Sequence, residues 1–337
     1  MPDNPAALDV APLDVVGIGN AIVDVLAHAE DRFLEDHGLA KGAMTLIDGA
    51  QAETLYAAMG PGIEISGGSV ANTMAGIASL GGSGAFFGKV RDDQLGEVFA
   101  HDIRAAGVSY KTAPAKEGEA TARCLIFVTP DAQRTMQTFL GASVALGPDE
   151  VATETVAAAQ ITYLEGYLFD PPLAKAAFIK AAEIAHAAER KVALSLSDPF
   201  CVDRHREAFR DLVDGHIDVL FANEEEIVSL YQASGFDDAL QSVRGKCDIA
   251  CLTRGDKGSL IVAGDEVHII DAVPVANVVD TTGAGDLYAA GVLYGLTNGH
   301  GLAEAGRIGA ICAGEAIAHM GARPEAALKN LVAKSLG

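Results

Sequence analysis

The residue types most suited to catalysis lie together in one short segment, Gly283, Ala284, Gly285 and Asp286. Turn-forming residues lead into this segment, and a helix-forming run follows it. Small residues at a helix start leave backbone N–H groups free to bind an anion, and the helix dipole favours negative charge there. A carboxylate in the first turn could accept a proton from a hydroxyl that attacks a phosphoryl group. The alternative is an ordinary acidic residue favoured by the helix dipole, and spacing alone does not separate the two.

A second glycine-rich segment, residues 66–82, also opens a predicted helix. Gly67 and Gly68 permit a close backbone approach or a hinge, and Asn72 projects from the first turn. Taken alone, this pattern is more simply interpreted as a helix start whose small residues allow close packing.

A third segment places Asn20 and Asp24 just beyond the first predicted strand. A carboxylate within an apolar, strand-like run needs a polar partner. Sugar hydroxyls can provide one through paired hydrogen bonds.

Together these three segments closely resemble the ribokinase-like (PfkB) family of carbohydrate and nucleoside kinases. Its two signatures are a Gly-Gly helix start near the N-terminus and a DTxGAGD element, which is intact here at residues 280–286. The resemblance spans residues 12–333 with the elements in family order. It implies an α/β fold, a three-layer α/β/α kinase domain over 12–333 with a central, mostly parallel sheet and a small inserted β-sheet lid.

The resemblance also implies roles for individual residues. Asp286 matches the catalytic base, and the N–H groups of residues 283–285 match the anion hole. The sugar-contacting positions are Asn20, Asp24, Gly68 and Asn72. The nucleotide-binding positions are Asn223, Thr253, Gly255, Gly258, Gly283 and Gly285. Glu226, in an NxxE element with Asn223, is expected to act on Mg²⁺ through water, although without the resemblance this acidic run is better interpreted as a solvated helix start.

A monovalent cation site for K⁺ is common in the family. By resemblance it would be built largely from backbone carbonyls around Asp280, Thr282, Ala316 and Gly321. Arg91 departs from the family, which often has glycine at that position, so the local turn is not predicted. The sequence contains no GxxxxGK[ST] motif, so phosphate binding would depend on the helix start at residues 283–286.

The predicted strand within residues 134–143 is the most informative about the substrate. Alternation places Arg134, Met136, Thr138 and Leu140 on one face. That face offers a cation for phosphate and an apolar surface for a ring. Tyr163 or Tyr167 could extend the apolar surface. The alternative is a lid strand with one solvated arginine. An Arg-bearing lid strand and a GNxxxD pattern at residues 19–24 most resemble the adenosine kinase branch of the family.

Alternating apolar runs and helical patterns indicate the elements that position these residues. The predicted strands are 15–19, 84–90, 161–166, 191–197, 217–223 and 248–255, and the predicted helices are 69–80, 94–106, 172–190, 204–213, 224–232, 285–297 and 302–319. This order indicates βαβ units around a parallel sheet. Further strands are predicted at 22–29, 44–48, 62–66, 108–113 and 120–140, forming a smaller sheet or lid from segments of about 22–66 and 108–140.

Composition limits the partners. The 46 acidic and 24 basic residues give a formal charge of −22, which repels nucleic acid and anionic lipid. No apolar run approaches the roughly 18 residues of a membrane helix, and residues 1–12 have no basic region. We therefore expect a cytoplasmic protein with no nucleic-acid or membrane partner, either a monomer or a lid-mediated homodimer.

The leading hypothesis is an ATP- and Mg²⁺-dependent kinase that phosphorylates a primary hydroxyl of a ribosyl substrate, with adenosine converted to AMP. One alternative is a sugar kinase acting on ribose, fructose or a keto-sugar acid. Another is a non-catalytic nucleotide-sensing protein of the same fold, against which the intact Asp286, Asn223 and Glu226 argue. A Rossmann dehydrogenase is disfavoured because residues 17–22 lack the third glycine of GxGxxG.

Overall fold

The computed structural model describes residues 11–131, 133–169 and 171–336, which form two β-sheets and surrounding helices. The strands are β1 Leu13–Ile18, β2 Ile22–His28, β3 Met44–Leu46, β4 Ile63–Gly67, β5 Gly84–Phe87, β6 Ser109–Tyr110, β7 Ala122–Val128, β8 Arg134–Phe139, β9 Ala159–Glu165, β10 Lys191–Ser195, β11 Val219–Asn223, β12 Ile249–Thr253, β13 Ser259–Ala263 and β14 Glu266–Ile270. The α-helices are α1 Asp31–Asp36, α2 Gly49–Ala58, α3 Ser69–Leu80, α4 Gln94–Ala105, α5 Thr153–Ala158, α6 Pro172–Ala187, α7 Pro199–His216, α8 Glu224–Tyr231, α9 Phe236–Val243, α10 Ala284–Thr297, α11 Leu302–Ala316 and α12 Leu328–Leu336.

The large sheet has the strand order β14-β13-β12-β11-β10-β9-β1-β5-β6. The strands from β12 to β6 run parallel, and β13 and β14 continue the sheet as an antiparallel hairpin. Phe178 of α6 and Phe209 of α7 pack in the core on one face, while Met74 of α3 and Leu293 of α10 pack on the other. Helices on both faces explain the continuous apolar runs of the strands. This arrangement confirms the predicted three-layer α/β/α fold.

The small sheet has the order β3-β8-β7-β2-β4, and all five of its strands come from the first half of the chain. Residues 120–140 supply two antiparallel strands, β7 and β8. The prediction that residues 108–113 join this sheet is wrong, because β6 pairs with β5 at the edge of the large sheet. Tyr110 explains the placement: its ring packs against Phe86 and Phe99, and its hydroxyl donates to the Gly88 carbonyl at 2.9 Å.

Several elements were not predicted from the sequence. The β13–β14 hairpin and helices α1, α2, α5, α9 and α12 are new, and α7 begins earlier than the predicted 204–213 helix. By contrast, α3 matches the predicted helix at 69–80, and α10 begins one residue before the predicted 285–297 helix. Within the described ranges, no helix combines the length and hydropathy needed to cross a bilayer.

Close packing of α3 against α10 brings the two glycine-rich helix starts together. A Cβ atom at Gly76 would lie 2.7 Å from the Ala290 Cβ, well inside van der Waals contact. On its other side α10 packs equally closely on α11, where a Cβ at Gly291 would lie 2.6 Å from the Gly309 Cα. Glycine at these positions sets how closely the helices approach.

We predict that Gly76→Ala lowers the free energy of unfolding by about 1–3 kcal/mol, because the added methyl group forces α3 and α10 apart. Gly215→Ala is the matched control, since a Cβ at this helical glycine would meet nothing within 4 Å. It should be neutral or stabilise the fold by up to about 1 kcal/mol. Denaturant unfolding measures both variants, and equal effects would contradict the packing argument.

Candidate active site

A cavity of about 1240 Å³ lies at the carboxyl edge of the large sheet. Its lining includes the residues that end or follow successive parallel strands: Asn20, Glu165, Ser195, Asn223 and Thr253. In open α/β sheets this edge is the usual place for a ligand site. The volume exceeds the roughly 300–1000 Å³ of a site for one small molecule. The cavity is therefore large enough for two substrates side by side.

Asp286 lies in the first turn of α10, lines this cavity and contacts the first turn of α3. Its Oδ1 accepts a hydrogen bond from the Ser69 hydroxyl at 2.6 Å, and its Oδ2 accepts one from the Asn72 amide at 2.9 Å. Burial raises the pKa of Asp286, whereas these hydrogen bonds and the Arg323 charge lower it. Each carboxylate oxygen retains a lone pair, so the group can accept a proton from a bound hydroxyl.

The loop before α10 contains the glycines of the predicted anion site. Gly283 has φ 77°, and a Cβ there would lie 2.5 Å from the Ala322 Cβ, so glycine is required on both counts. A Cβ at Gly285 would meet nothing within 4 Å, and both glycines line the cavity, while Ala284 begins the helix without lining it. A 14-residue helix therefore starts at the cavity wall, where its N–H groups favour an anion.

Asn20 is held in place by a carboxylate that the sequence analysis missed. The Asn20 amide donates to Glu165 Oε1 at 2.7 Å, and its Oδ1 accepts from the Ser143 hydroxyl at 2.8 Å. Glu165 Oε2 accepts from the backbone N–H of Val70, at the start of α3, at 3.0 Å. Burial raises the pKa of Glu165 to about 7. The sequence signal that could have indicated this role is the acidic residue that ends the apolar run ITYLE.

Asp24 occupies the space that the double glycine leaves open. A Cβ at Gly67 would lie 2.5 Å from Asp24 Oδ2. A Cβ at Gly68, whose φ is 100°, would lie 2.2 Å from the Asn20 carbonyl oxygen. Burial raises the pKa of Asp24 to about 6, offset in part by Arg323 and Arg134. The structure thus brings the four predicted sugar-contacting residues, Asn20, Asp24, Gly68 and Asn72, to the cavity wall near Asp286.

Arg134 does not lie against the cavity as a free phosphate-binding cation. Its guanidinium forms an ion pair with Asp280 and donates to the Thr282 hydroxyl at 3.1 Å. Asp280 also accepts from the Thr282 N–H at 3.0 Å and from the Gly321 N–H at 2.9 Å. The ion pair connects β8 of the small sheet to the loop before α10. A contact between Arg134 and phosphate stays a prediction.

The structure brings the segments of the candidate K⁺ residues together. Hydrogen bonds of the Asp280 carboxylate join it to Thr282 and Gly321. The Val279 N–H donates to the Ile317 carbonyl at 2.8 Å, which places the end of α11, with Ala316, beside this loop. That carboxylate accepts from four donors, and Arg134 supplies the adjacent positive charge. Any K⁺ ligands here would have to be backbone carbonyls.

Four of the predicted nucleotide-binding and magnesium residues, Asn223, Glu226, Thr253 and Gly255, line the cavity. Asn223 and Glu226 form a reciprocal helix cap: the Glu226 N–H donates to Asn223 Oδ1 at 2.8 Å, and Glu226 accepts from the Asn223 N–H at 2.9 Å and its amide at 2.7 Å. Burial raises the pKa of Glu226 to about 7. Gly258 is not part of the wall; a Cβ there would lie 2.0 Å from the Ile270 carbonyl oxygen, which indicates a packing role.

The acidic groups of the cavity suit a magnesium ion held mainly by water and substrate phosphates, and not one held by protein ligands alone. Glu226 lines the cavity, but both its oxygens are engaged by Asn223. Across residues 11–131, 133–169 and 171–336, no three His, Cys, Asp or Glu side chains group closely enough to hold a metal. Mg²⁺ is commonly held by substrate phosphates and water with one or two carboxylates, and Glu226 could reach it through water.

The wall that the small sheet gives to the cavity is mostly apolar. Its side chains there are Ile22, Met44, Leu46, Cys124, Ile126 and Met136, with Asp24 and Thr138 as the polar exceptions, and Leu140 follows directly after β8. Tyr167 also lines the cavity, but Tyr163 does not: it is 1% exposed and packs edge-on against Phe221 in the core. The expectation that Tyr163 could contact substrate is wrong because strand β9 directs this side chain into the interior between sheet and helices.

Residues 64–328 match the family model for pfkB family carbohydrate kinases. The chain belongs to the PfkB family. An adenosine kinase from Sinorhizobium meliloti is 50% identical, with a TM-score of 0.89 over 96% of this chain and all of that one. A probable sugar kinase protein from Rhizobium etli is 48% identical, with a TM-score of 0.90 over 97% of this chain and 99% of that one. Adenosine kinase from Saccharomyces cerevisiae is 26% identical over 87% of this chain and 90% of that protein.

Family membership explains the arrangement of this PfkB kinase. The two glycine-rich signatures are the starts of α3 and α10, and their contact creates the environment of Asp286. Among the functions considered from sequence, the relatives support a kinase over a dehydrogenase or a sensor.

We predict that Glu165→Gln raises the KM of this PfkB kinase for its acceptor by roughly tenfold, with a smaller change in kcat. The glutamine amide would place a donor against Asn20 or the Val70 N–H, and an unsatisfied buried donor costs about 1–3 kcal/mol. Glu154→Gln is the control, because Glu154 is exposed in α5. Steady-state kinetics with varied acceptor measures the effect. An unchanged KM in Glu165→Gln would show that Asn20 does not depend on this carboxylate.

Proposed function

We propose that this PfkB kinase transfers the γ-phosphoryl group of ATP to the 5′-hydroxyl of adenosine, giving AMP and ADP. The observation that carries the proposal is that Asn20, Asp24 and Asn72 line the cavity near Asp286, while the rest of the wall given by the small sheet is mostly apolar. The 50% identity to an adenosine kinase over nearly the whole chain supports it.

The combination of polar and apolar wall residues favours a nucleoside over a free sugar. A free sugar presents hydroxyls on almost every face, and each one buried without a partner costs about 1–3 kcal/mol. A nucleoside combines a polar ribose with a flat, apolar base. Met136 and Leu140 could contact such a base, which by analogy with base stacking could contribute about 1–3 kcal/mol.

In the proposed reaction, Asp286 accepts the proton of the attacking hydroxyl as that oxygen bonds to the γ-phosphorus. Asn20 and Asp24 hold the ribose hydroxyls so that the attacking oxygen faces Asp286. Negative charge on the transferred group is stabilised by the N–H groups of residues 283–285. Mg²⁺, when bound with the nucleotide, would neutralise phosphate charge.

The small sheet would exclude water as a lid over the acceptor, and Arg134 could turn from Asp280 to the phosphate when both substrates are present. A lid-mediated homodimer, a K⁺ requirement and a cytoplasmic location remain predictions.

A sugar kinase is the second candidate. Beside Asn20, the buried Glu165 carboxylate adds hydrogen-bond accepting capacity. This suits a substrate with more hydroxyls than a ribosyl group. The 48% identity to a probable sugar kinase protein supports this candidate as well.

We predict that adenosine is phosphorylated with a kcat/KM roughly 10- to 100-fold above those of ribose and fructose, because only the nucleoside base uses the apolar wall. Met136→Gln should lower the value for adenosine and leave ribose nearly unchanged. Leu173→Gln is its control, since Leu173 is 57% exposed and lies outside the cavity lining. Coupled ADP release measures each rate, and a clear preference for a sugar would favour the second candidate.

We predict that Asp286→Asn lowers kcat by roughly 10²-fold or more, because the amide keeps the shape of the side chain but cannot accept the proton. Binding of the nucleotide should persist, as calorimetry can verify. Asp31→Asn changes an exposed aspartate in the first turn of another helix and serves as the control. Wild-type turnover in a folded Asp286→Asn protein would exclude Asp286 as the base.

A further inference from the structure

Arg323 is a cation beside the site that the mechanism above does not use. It follows α11 and reaches across to the double-glycine segment before α3. Its Nε and Nη2 donate to the Ser66 carbonyl at 3.0 and 2.7 Å, and Nη2 also donates to the Ser66 hydroxyl at 2.8 Å. Its Nη1 donates to the Ala71 carbonyl at 2.8 Å. Arg323 therefore ties together the two ends of a segment, 66–71, that contains Gly67, Gly68 and Ser69.

The carboxylates around Arg323 do not contact it directly. Asp102 accepts from the Ser66 N–H at 2.8 Å and from the Ser66 hydroxyl at 2.5 Å, so Ser66 stands between the two charges. Burial lowers the pKa of Arg323 to about 10, although the negative charges of Asp102, Asp24 and Asp286 act to raise it. Within the described part of the chain, Arg323 forms no direct ion pair. Its charge is thus shared among three carboxylates rather than neutralised by one.

We propose that Arg323 is a positioning residue that holds the start of α3 against Asp286 and keeps Asp24 and Asp286 ionised at neutral pH. The proposal rests on the assignment of Asp286 as the base and not on the identity of the acceptor.

The positive charge of Arg323 matters because other acidic groups lie near Asp286. From α3, the neutral donors Ser69 and Asn72 contact the carboxylate. From β2 and β9, Asp24 and Glu165 add acidic groups that interact with Asp286, and the phenols Tyr163 and Tyr167 also face its charge. Nearby carboxylates oppose each other's ionisation, and a fixed cation opposes that effect. Arg323 is the residue whose positive charge lowers the pKa of Asp286.

The sign of the expected effect follows directly. Asp286 must be ionised to accept a proton, so activity falls as the pH drops through its pKa. Removing the Arg323 charge raises the pKa of both Asp24 and Asp286. The acidic limb of the kcat/KM profile, which reports groups of the free enzyme, should then move to higher pH.

The test compares two variants. Arg323→Gln keeps hydrogen-bond donors but removes the charge, and Arg323→Lys keeps the charge but lacks the several N–H donors of the guanidinium group. The acceptor is whichever compound the wild-type enzyme turns over best, so a wrong substrate assignment does not affect the result. We expect the acidic limb of Arg323→Gln to move up by roughly 1 pH unit, with activity partly recovered at high pH. Arg323→Lys should keep the wild-type limb and raise the acceptor KM, because the two carbonyls lose donors.

Arg210→Gln is the matched control, because Arg210 also donates to a backbone carbonyl, that of Leu230 at 2.8 Å, and lies outside the cavity lining. It should leave the pH profile unchanged. A rate loss in Arg323→Gln that is uniform across pH would overturn the proposal and indicate a structural role only. If that variant does not fold, Arg323→Lys carries the test: because it keeps the charge, a limb that stays at the wild-type pH while the acceptor KM rises supports the proposal, and a limb that moves to higher pH overturns it.

Discussion

The contact of the Asp286 carboxylate with Ser69 and Asn72 is the interaction on which the site depends. It joins the first turns of α3 and α10, two helices that begin at the same edge of the large sheet. The contact is possible because Gly76 lets α3 pack closely against Ala290 of α10. Both helix starts present partial positive charge to the cavity. In a chain with a formal charge of −22, such local dipoles provide attraction for a phosphate that the surface as a whole repels.

The same edge of the sheet concentrates carboxylates that burial makes harder to ionise. Burial raises the pKa of Asp24 to about 6 and of Glu165 and Glu226 to about 7. Hydrogen bonds partly offset this effect, from Asn20 and Val70 at Glu165 and from Asn223 at Glu226. The arginines act differently at the two sides of the site. Arg134 pairs directly with Asp280, whereas the charge of Arg323 acts on Asp24 and Asp286 without contact.

Much of the fold could be predicted from the sequence because its parallel strands read as short apolar runs between helical patterns. Helix α3 follows from a double glycine and a run of small residues, and α10 from the GAGD segment. The two-residue strand β6 could not be assigned to a sheet, because nothing local shows that Tyr110 packs against Phe86 and Phe99. The β13–β14 hairpin was missed although Gly264 and Asp265, between its strands, are typical turn residues.

The site was less predictable than the fold wherever a role depends on distant partners. Glycines 67 and 68 were singled out correctly as points of close approach, since the sequence itself shows small residues there. The pairing of Arg134 with Asp280, 146 residues away, has no local signature. Neither do the bonds from Glu165 to Asn20, separated by 145 residues, or from Arg323 to Ser66, separated by 257. At Gly258 a residue of a recognisable motif lies outside the cavity wall, and glycine is needed there because of its close packing against Ile270.

Phosphorus-31 NMR of the reaction products tests the central claim most directly. Adenosine and ATP with Mg²⁺ are incubated with the wild-type protein, and the phosphorylated product is identified by its coupling to the 5′ protons of the ribose. The account predicts AMP and ADP in equal amounts as the only new phosphorus species. No transfer to adenosine, together with rapid transfer to a free sugar under the same conditions, would contradict it.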